Sequence, residues 1–308
     1  MFKKMFRLYS ILLVIFIIQS CKLDRKVLEQ ENLVVCTTSI IGDVVRHIAP
    51  EHVRIETLMG PGIDPHLFEA KPSDVRKMGN AAVIIHNGLH LEGKLSKLFK
   101  RMKSHKKMIA FEDGMNKAQL IPLTSNHYDP HVWFDVLLWL QGLTHVKEEL
   151  ISVYPNDKSE IEQKFKLYEA ELLKLNETIE ESMNMIPINQ RVLITSHDAF
   201  HYFGKAYGVE VKAIQGVSTL VEPGLKSVSL LVDNILNRKI PAIFVESSVS
   251  SKAIKSVIEA CRSNDWEVKI GGTLFSDALG SKEEEAGTYI DMITKNCQTI
   301  QKALIDGI

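Results

Sequence analysis

Cysteine is scarce in this 308-residue chain: Cys21, Cys36, Cys261 and Cys297 are all there is, and no two stand in a CxxC spacing. A CxxC metal ribbon or redox centre is therefore not on offer. With Cys21 set aside, the odd number left over cannot all pair within one chain. Cys36 closes the apolar run "NLVVC" and reads, like the other two, as a small buried hydrophobe. A Cys261–Cys297 bridge is compatible with export but is not deducible from spacing. An excess of one charge is missing too. Lys and Arg number 37 against 38 Asp and Glu, a formal net charge of −1, which gives no general pull toward nucleic acid or an anionic surface. No basic stripe with interleaved aromatics makes up for it, so a nucleic-acid partner is excluded. Low-complexity segments are absent, and so is any apolar run long enough to span a bilayer. The longest, "LYSILLVIFII", has about 11 residues where about 20 are needed.

That short run has another use. It follows Lys3, Lys4 and Arg7 and precedes "IQSC". A basic start, a short apolar stretch and a small residue before Cys21 make a signal peptide over 1–20. The end of this segment resembles a lipobox, which implies that Cys21 becomes the lipidated first residue of the mature chain. The chain is then exported and anchored to the bacterial cell membrane, facing the periplasm or the cell exterior. More than one acyl chain is needed for a stable hold. Residues 21–32 form the tether.

Beyond the tether, strands alternate with helices. "LVVC", "VRIETLM", the stretch 82–86 and "KKMIAF" read as strands between helical periodicities in 33–155. "RVLITSH", "VEVKAIQGV", "IPAIFVESS" and "WEVKI" do so in 188–308, with "GGTLFSDALG" as a loop before a closing helix. Alternation of this kind implies parallel sheets with crossover helices. Between the two halves, 156–187 holds one long helix, free of Gly and Pro from Asp157 to about Met185. Ile161, Phe165, Tyr168, Leu172, Leu175, Ile179 and Met183 fall on one face of it. The fold class is α/β, with two Rossmann-like lobes joined by a backbone helix. A coiled-coil dimer helix is the other use of such a stripe; the stripe is short for that, and a monomer is expected.

The tripeptide Asp-Pro-His occurs twice, in "GIDPHLFEA" and "YDPHVWFDV". Pro fixes its own φ and holds the preceding Asp extended, so each turn stiffens the backbone under a histidine. Ligands of open α/β sheets bind at the carboxyl ends of strands. His66, His131, His197 and Asp277 all fall in loops of that class, two from each lobe. Three imidazoles and a carboxylate can complete a four-coordinate shell for a first-row metal between the lobes. Asp64 and Asp129 are placed to orient the imidazoles that follow them. Glu246, ending "IFVE", is a reserve ligand or a supporting partner. His86, His90, His127 and His201 read as surface or packing residues.

The stretches "VVCTTSIIGDVVRHIA", "GPGIDPHLFEAKPSDV", "NGLHLEG", "DPHVWFDV", "TSHDAFHYFGKAYG", "IQGVSTLVEPG", "IFVESS" and "IGGTLFSDALG" carry a wider likeness. In order and spacing the chain resembles the TroA-like zinc and manganese solute-binding proteins of bacterial ABC importers, from about residue 33 to the C-terminus. The resemblance implies two lobes on one rigid helix and a metal held by His66, His131, His197 and Asp277. It implies a transport role with no enzymatic activity, Zn2+ or Mn2+ as the carried ligand, and a membrane permease as partner. Many manganese-selective relatives have a carboxylate where this chain has His197, which points to zinc. Dedicated zinc importers often carry a long His-rich loop before the second Asp-Pro-His, and here "DGMNKAQLIPLTSNHY" is short. A binder of mixed zinc and manganese preference is the resulting expectation. A surface adhesin and a metalloenzyme are the alternatives.

Overall fold

The computed structural model describes residues 32–306 apart from 126, 222 and 223. The signal segment 1–20, Cys21 and the tether up to residue 31 lie outside the described residues. Strands β1 (Leu33–Cys36), β2 (Arg54–Thr57), β3 (Val83–His86) and β4 (Lys107–Ala110) form a parallel sheet in the order β2-β1-β3-β4. The unbroken apolar run of β1 suits a central strand covered on both faces. Val34, Cys36, Val83 and Ile85 point into the main core. Leu33, Val35 and Ile84 point the other way, against Met78 of α2 (Pro72–Asn80) and Phe99 and Met102 of α3 (Ser96–Met102). Helix α1 (Ser39–Ile48) starts where the Thr38 hydroxyl accepts the Ile41 amide at 3.2 Å, an N-cap that satisfies one of the free first-turn donors.

A short antiparallel pair, β5 (Pro122–Thr124) and β6 (His127–Tyr128), departs from the all-parallel expectation; a tight turn is all such a pair needs. It leads into α4 (Val136–Val153) and then α5 (Lys158–Asn184). All seven residues of the α5 stripe are buried, and α1 and α4 are among the helices that cover it. The stripe is used up inside the chain, which removes the coiled-coil reading. With 27 residues at about 1.5 Å each, α5 runs about 40 Å.

Past α5, β7 (Val192–His197) pairs in parallel with β8 (Glu210–Gln215), and β9 (Ala242–Glu246) with β10 (Lys269–Leu274). β7 lies beside β9. Helices α6 (His201–Tyr207), α7 (Leu225–Arg238), α8 (Lys252–Arg262) and α9 (Tyr289–Asp306) complete this half. Gly208 ends α6 in the left-handed region, at φ 67°.

One strand differs from expectation. β10 does not stop at "WEVKI" but continues through Gly271 and Gly272 to Leu274, with a register shift between Ile270 and Gly272. A Cβ on Gly271 would stand 2.7 Å from the Phe244 ring, and one on Gly272 2.4 Å from Thr299. The glycines that read as a loop are there because the strand packs tightly on β9 and α9. Cys36, Cys261 and Cys297 are free and buried. The main hydrophobic core is continuous from Val34 to Leu304, so both halves of the chain share one interior.

Candidate metal site

Both Asp-Pro-His turns close in the same way. Asp64 Oδ1 accepts the His66 amide at 2.8 Å, and Asp129 Oδ1 accepts the His131 amide at 3.0 Å. Each carboxylate thus folds the chain back two residues on, while Pro stiffens the step between. The turns then diverge. Asp129 Oδ1 also meets His131 Nδ1 at 2.7 Å, which leaves Nε2 facing inward. Asp64 holds only the backbone of His66, and its other oxygen accepts the Thr219 hydroxyl at 2.6 Å. Of the two carboxylates expected to orient the imidazoles that follow them, Asp129 contacts its ring as well as its backbone, whereas Asp64 contacts the backbone alone.

The other two side chains come from the second half. His197 is the last residue of β7, and Glu246 is the last residue of the neighbouring β9. The His197 amide donates to Glu246 Oε1 at 2.9 Å, and Glu246 Oε2 contacts His197 Nδ1. Glu246 therefore sets His197 rather than joining the inward-facing group. Asp277 follows β10. The preceding carbonyl, of Ser276, accepts the Trp133 indole N–H at 2.9 Å, and Trp133 sits two residues after His131. One hydrogen bond thus ties the two loops across the halves. The Tyr289 hydroxyl donates to the Trp133 carbonyl at 2.7 Å, and the Leu279 amide donates to Ser39 Oγ at 3.0 Å.

These elements bring His66, His131, His197 and Asp277 together, buried, with one donor atom of each within 4.8 Å of all the others. His131 Nε2 lies 3.3 Å from His66 Nε2 and 3.4 Å from His197 Nε2. Asp277 Oδ1 is 3.4 Å from His131 Nε2, and Oδ2 is 3.4 Å from His197 Nε2. A tetrahedron with arms of about 2.0–2.1 Å, the usual zinc–nitrogen and zinc–oxygen lengths, has edges of about 3.3–3.4 Å. The distances from His131 Nε2 to the His66 and His197 rings match that size, and the full set stays within 4.8 Å. Asp277 Oδ1 is buried without a hydrogen-bond donor in place, a costly arrangement that a cation relieves.

Electrostatics separates the three imidazoles. Burial pushes His66 down to about 4. Burial also opposes charge on His131, but Asp129 and Asp277 outweigh it and raise that ring to about 9. His197 is likewise held well above the ordinary value, with Glu246 and Asp277 overcoming its burial. Asp277 is fully buried, yet His197 and His131 hold its carboxyl well below the ordinary range. The carboxylates that favour a proton on His131 and His197 favour a cation in the same place, so metal and proton compete for these rings.

The remaining histidines sort themselves. The His127 ring stacks obliquely on His90, 4.9 Å between centroids, and is outside the four-residue group. His86 packs on Phe99. His201 is the one that sequence reasoning undervalued. Its Nδ1 is 3.2 Å from Asp129 Oδ2, and its Nε2 is 3.0 Å from Asp198 Oδ1. Held between two carboxylates, it is raised above its ordinary value, first through the hydrogen bond to Asp129. The only local signal was the i, i+3 spacing of Asp198 and His201 at the mouth of α6.

Residues 34–303 match the family model described as ZnuA, zinc-uptake complex component A, periplasmic. The chain belongs to this family. It is 42% identical over 272 residues to the zinc-binding protein TroA of Treponema pallidum, covering 88% of each chain. It is 39% identical over 298 residues to the manganese-binding lipoprotein MntA of Bacillus subtilis, covering 96% of this chain and 97% of that one. The solved structure of periplasmic zinc-binding protein TroA from Treponema pallidum superposes with a TM-score of 0.86 at 41% identity, over 89% of this chain and 99% of that chain. As in other members of the ZnuA family, the architecture is α/β with parallel sheets. No helix among the described residues is long and apolar enough to cross a membrane.

Proposed function

We propose that this ZnuA-family protein is the extracytoplasmic solute-binding component of a bacterial ABC importer. It captures Zn2+ or Mn2+ between its two lobes through His66, His131, His197 and Asp277 and hands the ion to a membrane permease. The observation that carries this reading is the set of four buried donors gathered within 4.8 Å of one another, one of them a carboxylate oxygen without a hydrogen-bond partner. Three nitrogens and one oxygen suit zinc, and the order of intrinsic affinity places manganese below it. The relatives named for zinc and for manganese support a site that takes both. Four protein donors close the shell, whereas catalytic zinc keeps a position open for water or substrate; this argues for a carrier rather than a metalloenzyme. Nothing in the relatives' names favours the adhesin reading. The lipid anchor at Cys21 would hold the carrier near its permease, and the folded part acts as a monomer.

Elemental analysis of protein purified without chelator tests the reading. The expected result is about one zinc or manganese per chain, lost on His131→Ala. Metal content that survives this change would refute the assignment.

A further inference from the structure

Of the four metal-site residues, His66 alone retains measurable exposure, 4% against 0% for the other three. His66 is thus the least enclosed of the four, and what holds its turn bears on how an ion departs. The loop that carries this turn is held to the second half of the chain by the Gly62 amide on the Leu279 carbonyl at 3.3 Å and by one side chain on the turn itself. Thr219 Oγ1 donates to Asp64 Oδ2 at 2.6 Å, while Asp64 Oδ1 accepts the His66 amide. Thr219 is itself braced. The Gln215 side-chain amide donates to the Thr219 carbonyl at 3.0 Å and to the Val221 carbonyl at 2.7 Å. Gln215 ends β8 directly opposite His197 in the β7–β8 register. An unbroken path thus runs from the strand end bearing His197, through Gln215, Thr219 and Asp64, to the amide of His66. The path leaves both imidazole rings untouched, so it can set the rate of opening without altering the ligand set.

We infer that Thr219 is a positioning residue for metal release: its hydroxyl latches the Asp64–His66 turn of one lobe to the loop after β8 in the other, and the latch must part before the ion leaves. The inference rests on the proposed metal-carrier reading and adds to it the element that sets retention time. A donor on a charged acceptor, lost without replacement, is worth about a factor of ten or more in an equilibrium. In a latch that factor falls on the dissociation rate.

The test is stopped-flow release of zinc from the loaded protein into excess chelator, with association measured in parallel. Thr219→Val, which keeps the shape and removes the hydroxyl, should release zinc about tenfold faster with association unchanged. Thr219→Ser should restore the slow rate, and Gln215→Leu should shift release in the same direction as valine by loosening the brace. The latch is overturned if Thr219→Val releases at the wild-type rate, or if serine is as fast as valine, which would make the role one of packing. A wild-type protein that takes up neither zinc nor manganese overturns the carrier reading and the latch with it. Normal uptake with equal release rates overturns the latch alone.

Discussion

Replacing Asp129 by Asn probes how the protein balances proton against metal at His131. Asn keeps an oxygen for the His131 Nδ1–H and removes the charge. Asp129 supplies the largest contributions raising His131, which titrates near 9 against an ordinary 6.5. A group raised in this way favours the metal-free protein at low pH. That competition is absent well above pH 9 and grows by about 1.4 kcal/mol for each pH unit below it. Metal must displace that proton, so at pH 7.5 the wild-type site gives up about 2 kcal/mol to proton competition, and at pH 6.5 about 3 kcal/mol. Without the Asp129 charge, only Asp277 still favours the proton against burial, so the competition weakens over this range. Against that, losing a carboxylate behind a ligating imidazole typically weakens metal binding by about 10–100-fold. Asp129→Asn should therefore bind zinc about 10–100-fold more weakly at pH 9. The deficit should shrink by up to tenfold per pH unit on acidification, so a tenfold deficit is erased at about pH 8 and a hundredfold one at about pH 7. Competition with a chelator of known proton linkage measures the deficit. Calorimetry in buffers of different ionisation enthalpy should count about one proton fewer released at pH 7.5. A deficit that stays constant from pH 6.5 to 9 refutes the reasoning.

Other outcomes follow from the same geometry. His201→Ala strips Asp129 Oδ2 of its donor and should cost about 1–3 kcal/mol of stability, read as a lowered melting temperature, because the buried carboxylate oxygen is left unpaired; an unchanged melting temperature would mean that His201 is only a surface residue. His197→Glu replaces a nitrogen by an oxygen and should narrow the gap between zinc and manganese affinities, whereas His197→Ala should weaken both; equal ratios in the two variants would count against the donor argument. Zinc at 1,000 times its Kd should add about 4 kcal/mol to stability and raise one common transition, since both halves share a core; a transition that does not move would argue against a site between the lobes. Cys21→Ser should free the protein from membrane fractions, and continued pelleting with membranes would rule out lipidation as the anchor.

Much of the fold was legible because its signals are local and repeated. The α5 stripe reads directly as spacings of three and four, and every one of its residues is buried. β1 reads as a strand covered on both faces because it lacks alternation. Local reading failed at β10. Two adjacent glycines look like a loop to any rule based on conformational freedom, but Gly271 and Gly272 answer to Phe244 and Thr299, which lie far away in sequence. Close packing between elements determined those positions, and the sequence carries no record of the distance.

The site divides along the same line. The repeated Asp-Pro-His frame points to His66 and His131 because a stiff turn is a local property, and the structure shows both turns closed alike. What each Asp does with its second oxygen is not local. Asp129 turns to His201, and Asp64 turns to Thr219 in the other half of the chain. Identical tripeptides thus receive different work. One is buried and sets the charge and aim of an imidazole, while the other ties the turn of the most exposed of the four residues to the other half of the chain. A rigid turn fixes where a histidine stands, and the long-range partner of its neighbouring carboxylate decides whether that histidine is held by charge or by a latch.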